Sequence, residues 1–200
     1  MKAITGIKNG LERQDELSKI ARKIFLSYST EIFNGDEDTE FYIKDRIARQ
    51  FDVPFSSIEI VGSSKTGFSF FKDSKFRPGV SDLDIAVISL PLFVYFSEVS
   101  HFVTNGFSDL SLFTSYRNQR TDRQFVKGLS NGYINPYFMP NCDVKKQWLD
   151  FFNSLSNNYF KLFKNINGGI YSSEYYFEFK QEQCIYEFVK DPSKYDKISS

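Results

Sequence analysis

Two aspartates one residue apart, Asp82 and Asp84, stand at the head of an apolar run, Ile85-Ala86-Val87-Ile88. On an extended strand, residues two apart point to the same face. The spacing therefore predicts two carboxylates side by side, with Leu83 and Ile85 turned into the core. Adjacent carboxylates repel each other, and a fold that holds them together usually does so around a cation. Oxygen ligands of this kind suit Mg²⁺ or Mn²⁺, commonly held by one or two carboxylates plus substrate phosphates. Upstream, an apolar strand (Ile58, Ile60, Val61) runs into Gly62-Ser63-Ser64-Lys65-Thr66-Gly67. Gly62 lets the backbone approach a phosphate closely, and Ser63 adds a hydroxyl donor. A helix beginning at this turn offers unpaired N–H groups to an anion, and Lys65 supplies charge for a non-bridging phosphate oxygen. The chemistry indicated is that of a phosphate-bearing substrate held over a divalent cation.

The run Val61-Gly62-Ser63-Ser64-Lys65-Thr66-Gly67-Phe68-Ser69, followed by Ser81-Asp82-Leu83-Asp84-Ile85, resembles the signature of the DNA polymerase β-like nucleotidyltransferase superfamily. The core of the resemblance covers roughly residues 40 to 90. Two later segments, Gly132-Tyr133-Ile134-Asn135-Pro136 and Gly169-Ile170-Tyr171-Ser172-Ser173, extend the likeness to small stand-alone prokaryotic nucleotidyltransferases, some of which sit in antiphage or toxin–antitoxin operons. The resemblance implies an α+β domain: a small mixed β-sheet carrying the site, packed by helices on one face, with additional C-terminal helices. It implies metal-dependent transfer of a nucleoside monophosphate from an NTP or dNTP to a hydroxyl. Asp82 and Asp84 are then metal ligands and catalytic residues, Gly62, Ser63 and Lys65 bind the nucleotide, and the cofactor is Mg²⁺ or Mn²⁺. The acceptor is open: a short single-stranded oligonucleotide serving as a defence signal, or a partner effector or toxin protein. A catalytically silent nucleotide-binding module is the alternative of a different class.

Two departures qualify the resemblance. The segment between Ser63 and Asp82 is longer than the superfamily's usual spacing and carries Phe68, Phe70, Phe71, Phe76 and Pro78. A surface insertion of that length costs little in closure entropy. The superfamily also commonly uses a third acidic residue on a later strand, yet the strand expected over Ile166–Ser173 contains no Asp or Glu. Asp109, Asp143, Glu174 and Glu178 remain as candidates. Asp143 is equally well read as a helix N-cap and Glu178 as part of a solvated helix face.

The elements that must position these residues follow from periodicity. Leu17, Ile20, Ala21 and Ile24 predict a helix from about Leu11 to Tyr28, and Ile43, Ile47 and Phe51 a second one ending before Pro54. Further helices are expected over Pro91–Val103, Leu110–Gly128, from Asn141 or Asp143 through Leu155, and over Tyr175–Val189. Residues 191–200 read as a frayed tail. On the Leu110–Gly128 segment, Arg117, Arg120, Arg123 and Lys127 fall near one face, either as phosphate contacts or as a solvated face.

Composition narrows the classes. A chain of 200 residues fits a single domain, 41% of it hydrophobic and 18% aromatic, which allows both a filled core and rings able to stack on bases. A formal net charge of zero argues against broad, charge-driven duplex binding. One histidine, His101, leaves little material for a zinc site or a histidine-based triad. Lys65-Thr66-Gly67 occurs without the Ser-x-x-Lys partner of penicillin-recognising enzymes, and Gly62–Thr66 lacks a P-loop ending. Cys142 and Cys184 have no metal-type spacing and fit a reducing cytosol. No apolar run is long enough to span a bilayer, so a cytoplasmic protein without a membrane partner is expected.

Overall fold

The computed structural model describes residues 2–116 and 119–191. Helices α1 (Lys2–Glu12), α2 (Leu17–Arg22) and α3 (Glu37–Phe51) precede strand β1 (Ile58–Val61). A single turn, α4 (Gly62–Thr66), leads to the hairpin β2 (Phe68–Ser69) and β3 (Ser74–Lys75), then to β4 (Leu83–Ile88) and α5 (Leu90–Val103). A second small hairpin, β5 (Ser115–Tyr116) and β6 (Gln119–Arg120), opens α6 (Thr121–Ser130). Then follow β7 (Tyr133–Ile134), α7 (Asp143–Asn158), β8 (Ile166–Tyr171) and α8 (Glu174–Val189).

The main sheet has the order β1-β4-β8-β7. Strand β1 is antiparallel to β4, β4 is parallel to β8, and β7 is antiparallel to β8. A mixed sheet of this size, surrounded by helices, makes the chain an α+β protein. Strand β4 alternates as its sequence requires: Leu83, Ile85 and Val87 enter one core with Ile47, Trp148 and Phe152, while Ala86 enters another with Ile20, Phe177 and Ile185. Helices thus cover both faces of the sheet rather than the single face expected, with α3, α5 and α7 on one side and α1, α2 and α8 on the other.

The second layer depends on a helix that the sequence concealed. The helix expected over Leu11–Tyr28 is two: α1 ends at Glu12, and α2 continues into a π-helical turn over Lys23–Ser27. Between them Gln14 takes a positive φ of 58°, and Asp15 binds Arg13 and Lys19. Helix α1 carries Gly6 and Gly10, poor helix formers that obscure its apolar stripe of Ala3, Ile4 and Ile7. The structure uses both glycines for close approach. A Cβ on Gly6 would lie 2.9 Å from the Tyr28 ring, and one on Gly10 2.6 Å from Ile20.

The expected Leu110–Gly128 helix also starts late, at Thr121. The Asp109 carboxylate accepts from the Ser111 N–H, and Thr121 donates its N–H and its hydroxyl to the Thr114 carbonyl. These local bonds compete with helix formation. The helices expected over Pro91–Val103 and Tyr175–Val189 match α5 and α8 closely.

Candidate active site

The β1–α4 junction is built around a carboxylate. Val61 pairs opposite Asp84, and Gly62, next in the chain, adopts φ +67°. A Cβ at that position would lie 2.9 Å from Asp84 Oδ2. Conformation and space therefore both require glycine here. Asp82 and Asp84 flank fully buried Leu83, and both line a cavity of roughly 820 Å³ together with Gly62 and Ser63.

The long segment between Ser63 and Asp82 forms the opposite rim of this cavity. Its hairpin places Phe71, Lys72, Ser69 and Ser74 along the cavity, and Phe70 stacks on Phe188 of α8 at 4.6 Å. Helix α8 adds Lys180 and Lys190. Three lysines, several hydroxyls and two further acids, Glu187 and Asp191, thus share one cavity with the aspartate pair.

The charge of Asp84 is poorly compensated. Burial, and then the neighbouring charge of Asp82, push the Asp84 carboxyl above the usual carboxylate range, while a hydrogen bond with the Asn167 side chain and the charge of Lys72 act the other way. Asp82 accepts a hydrogen bond from Asn165 Nδ2 at 2.9 Å. Two hard oxygen ligands side by side, with room kept clear by Gly62, fit a small divalent cation. Among the described residues no group of three or more His, Cys, Asp or Glu is placed so that it could hold a metal ion. The remaining coordination positions would fall to water and phosphate oxygens, the usual habit of Mg²⁺.

Of the residues singled out by sequence, the structure brings together Gly62, Ser63, Asp82 and Asp84. Lys65 is turned away. It is 6% exposed and its Nζ donates to the Tyr28 carbonyl at 2.8 Å, so a phosphate contact from Lys65 is not what this geometry offers. Burial holds its ammonium pKa below the ordinary value, opposed by the nearby charges of Glu59 and Glu40. Helix α4 has only five residues, too short for the anion-binding helix terminus expected of it. The lysines that do line the cavity are Lys72, Lys180 and Lys190. The sequence offered no periodic signal for them, since they become neighbours only when the hairpin meets α8.

The third-carboxylate candidates lie elsewhere. Asp109 caps its own turn, Glu178 is paired with Arg22, Asp143 opens α7, and Glu174 lines a separate depression with Lys19 and Arg22. Strand β8 and the residue before it instead set an amide beside each aspartate: Asn167 is in register with Asp84, and Asn165 binds Asp82. Arg120 pairs with Asp122 at 3.1 Å, while Arg123 and Lys127 are exposed and line no cavity beside Asp84. Arg117 lies outside the described residues.

A second cavity of roughly 620 Å³ opens on the β7 side of Asp84. It shares Gly62, Asp84, Lys180, Gln181 and Cys184 with the first, and Tyr133, Asn135, Tyr137, Phe138 and Asn167 form its distinct wall. Burial and the Asp84 charge push the Tyr133 hydroxyl up to about 12, so it stays protonated. No helix among the described residues is long and apolar enough to cross a membrane. No protein-family model matches the chain, and neither a curated protein nor a solved structure shows significant similarity to it.

Proposed function

We propose that this protein is a divalent-cation-dependent nucleotidyltransferase, moving a nucleoside monophosphate from a nucleoside triphosphate to a hydroxyl. One observation carries the reading: Asp82 and Asp84 line the same lysine- and serine-bearing cavity, directly against the Gly62-Ser63 turn. The order helix, strand, glycine-serine turn, Asp-x-Asp strand supports the resemblance to the DNA polymerase β-like superfamily. In this reading Ser63 and the lysines bind the triphosphate and orient its α-phosphorus toward the carboxylates. A divalent cation held by Asp82 and Asp84 would neutralise phosphate charge and favour the nucleophilic form of the hydroxyl. The hydroxyl oxygen bonds to the α-phosphorus, the bond from that phosphorus to the bridging oxygen breaks, pyrophosphate leaves, and the proton passes to water.

Incubation with Mg²⁺ and each labelled ribo- and deoxyribonucleoside triphosphate, resolved by gel and intact-mass spectrometry, tests this reading. Pyrophosphate release that disappears in Asp82→Ala supports it. A second reading, a catalytically silent nucleotide-binding module, is favoured by the amides Asn165 and Asn167 standing beside the aspartates in place of a further carboxylate. Nucleotide binding without any product would select it. Antiphage signalling and modification of a partner protein belong to the same proposal and differ only in the acceptor.

A further inference from the structure

We propose that the cavity on the β7 side of Asp84 binds the acceptor, and that the acceptor is a nucleoside or nucleotide presenting a ribose hydroxyl. The inference rests on the reading of Asp82 and Asp84 as a nucleotidyl-transfer site. In an in-line displacement the attacking and leaving oxygens lie on opposite sides of the phosphorus. The site must therefore offer two spaces meeting at the residue that faces the reacting phosphate, and Asp84 is common to both cavities.

The two spaces differ in chemistry. The larger has serine hydroxyls and the cations Lys72 and Lys190, with Glu187 and Asp191 among them, and takes the triphosphate once a cation offsets the aspartate pair. The smaller has no lysine except the shared Lys180, and is walled by the rings of Tyr133, Tyr137 and Phe138. Its volume is in the range that holds small ligands, roughly 300–1,000 Å³. A flat ring of low charge fits this lining, whereas a long polyanion would lack counter-charges.

The fold prepares the surface for such a ring. Gly169 leaves β8 bare where a Cβ would fall 2.6 Å from Tyr133, so the tyrosine lies against the strand. Tyr133 also packs on Tyr171 with centroids 4.8 Å apart, and Tyr171 is held by Gln181 of α8. The Asn135 side-chain oxygen accepts from the Tyr137 N–H at 3.0 Å, which fixes the amide and presents its NH₂ as a donor for a base edge. Rings for stacking and an amide for the edge favour a nucleobase over a protein side chain.

Binding and transfer are measured separately. The four ribonucleoside 5′-monophosphates are titrated into the full chain by calorimetry, and then offered as acceptors with Mg²⁺ and labelled triphosphates. Tyr137 is 48% exposed, so Tyr137→Ala spares the core. The expected result is that Tyr137→Ala weakens binding of at least one monophosphate by about tenfold, the scale of one lost base–aromatic stack. The same variant should raise the acceptor KM and leave the triphosphate KM unchanged, while Lys72→Ala does the reverse. Monophosphate binding that depends on Tyr137 without any transfer supports the cavity and overturns the catalytic reading beneath it. Transfer of label to a protein hydroxyl, with Tyr137→Ala silent, overturns the inference and leaves the catalytic reading standing. Absence of monophosphate binding also overturns the inference.

Discussion

The protein buries charge in two contrasting ways. Lys65 enters the interior against the cost of burial and the like charge of Lys44, but with a carbonyl waiting for it at 2.8 Å and two glutamates, Glu59 and Glu40, near enough to favour its charge. Lys145 is treated alike, its Nζ donating to the Met139 carbonyl and to Asn141. Asp84 is sunk beside another carboxylate, with an amide and the charge of Lys72 as its relief. A buried charge needs a compensating partner. Where the fold supplies one, the charge is part of the architecture. Where it supplies burial and a like charge, the neutral carboxyl is favoured, and the charged form would be favoured by a cation of the kind the proposed function calls for.

The contrast breaks most visibly at Asp84. Asp84→Asn should lower turnover by about three orders of magnitude, since cation-mediated charge stabilisation is worth several kcal/mol. The cation-free variant should nevertheless unfold at the same temperature as the parent or higher. The sign follows from the raised pKa. The neutral carboxyl is favoured in the fold, so its stabilisation is complete below the unfolded pKa and is lost as pH rises through the folded one. An amide does not titrate and avoids that loss. Kinetics with thermal melts at neutral pH would check both halves, and a strong drop in melting temperature would place Asp84 with the architectural charges.

Lys65→Met should behave in the opposite way. It leaves the Tyr28 carbonyl without its donor, at a cost of about 1–3 kcal/mol, and should leave the triphosphate KM unchanged. Denaturant titration and steady-state kinetics decide between these roles.

Asn167→Asp sharpens the comparison by adding a third carboxylate in register with Asp84. Mn²⁺ affinity, measured on the nucleotide-free protein, should rise, and cation-free stability at neutral pH should fall. Unchanged affinity would mean that the amide is not positioned to reach the cation.

The smallest effect is expected at Glu59, whose carboxyl is pushed up by burial against the opposing pull of Lys44 and Lys65. Its contribution is present below the unfolded pKa and fades as pH rises through the folded one. Glu59→Gln should therefore match the parent in acid and exceed it slightly toward neutral pH. A melting profile between pH 4 and 8 measures the difference.

What could be read in advance was local. Strand β4 states its own alternation, so Leu83 and Ile85 in the core with Asp84 between them needed no tertiary information. Helix α3 was equally plain from Ile43 and Ile47. What was misread depended on partners distant in the chain. Lys65 looked like a phosphate ligand because it follows Ser63 and Ser64, but the first residues after β1 curl into one turn that carries it toward Tyr28. Lys180 and Lys190 could not be assigned to the site, since only the packing of α8 beside the hairpin brings them there. Asn167 became informative only once its register with Asp84 was known.

The parallel pairing of β4 with β8 has a consequence in time. Asp82 and Asn165 meet across 83 positions of chain, and α8, still further on, closes the cavity. Contacts of such separation form late and slowly, because loop closure must precede any gain from pairing. As the chain leaves the ribosome from its N-terminus, the Asp-x-Asp strand is synthesised long before the strand and helix that complete its surroundings. A product truncated before residue 165 would carry both aspartates and the glycine-serine turn and still have no enclosed cavity, so the surroundings of the aspartates are completed only once α8 has been made.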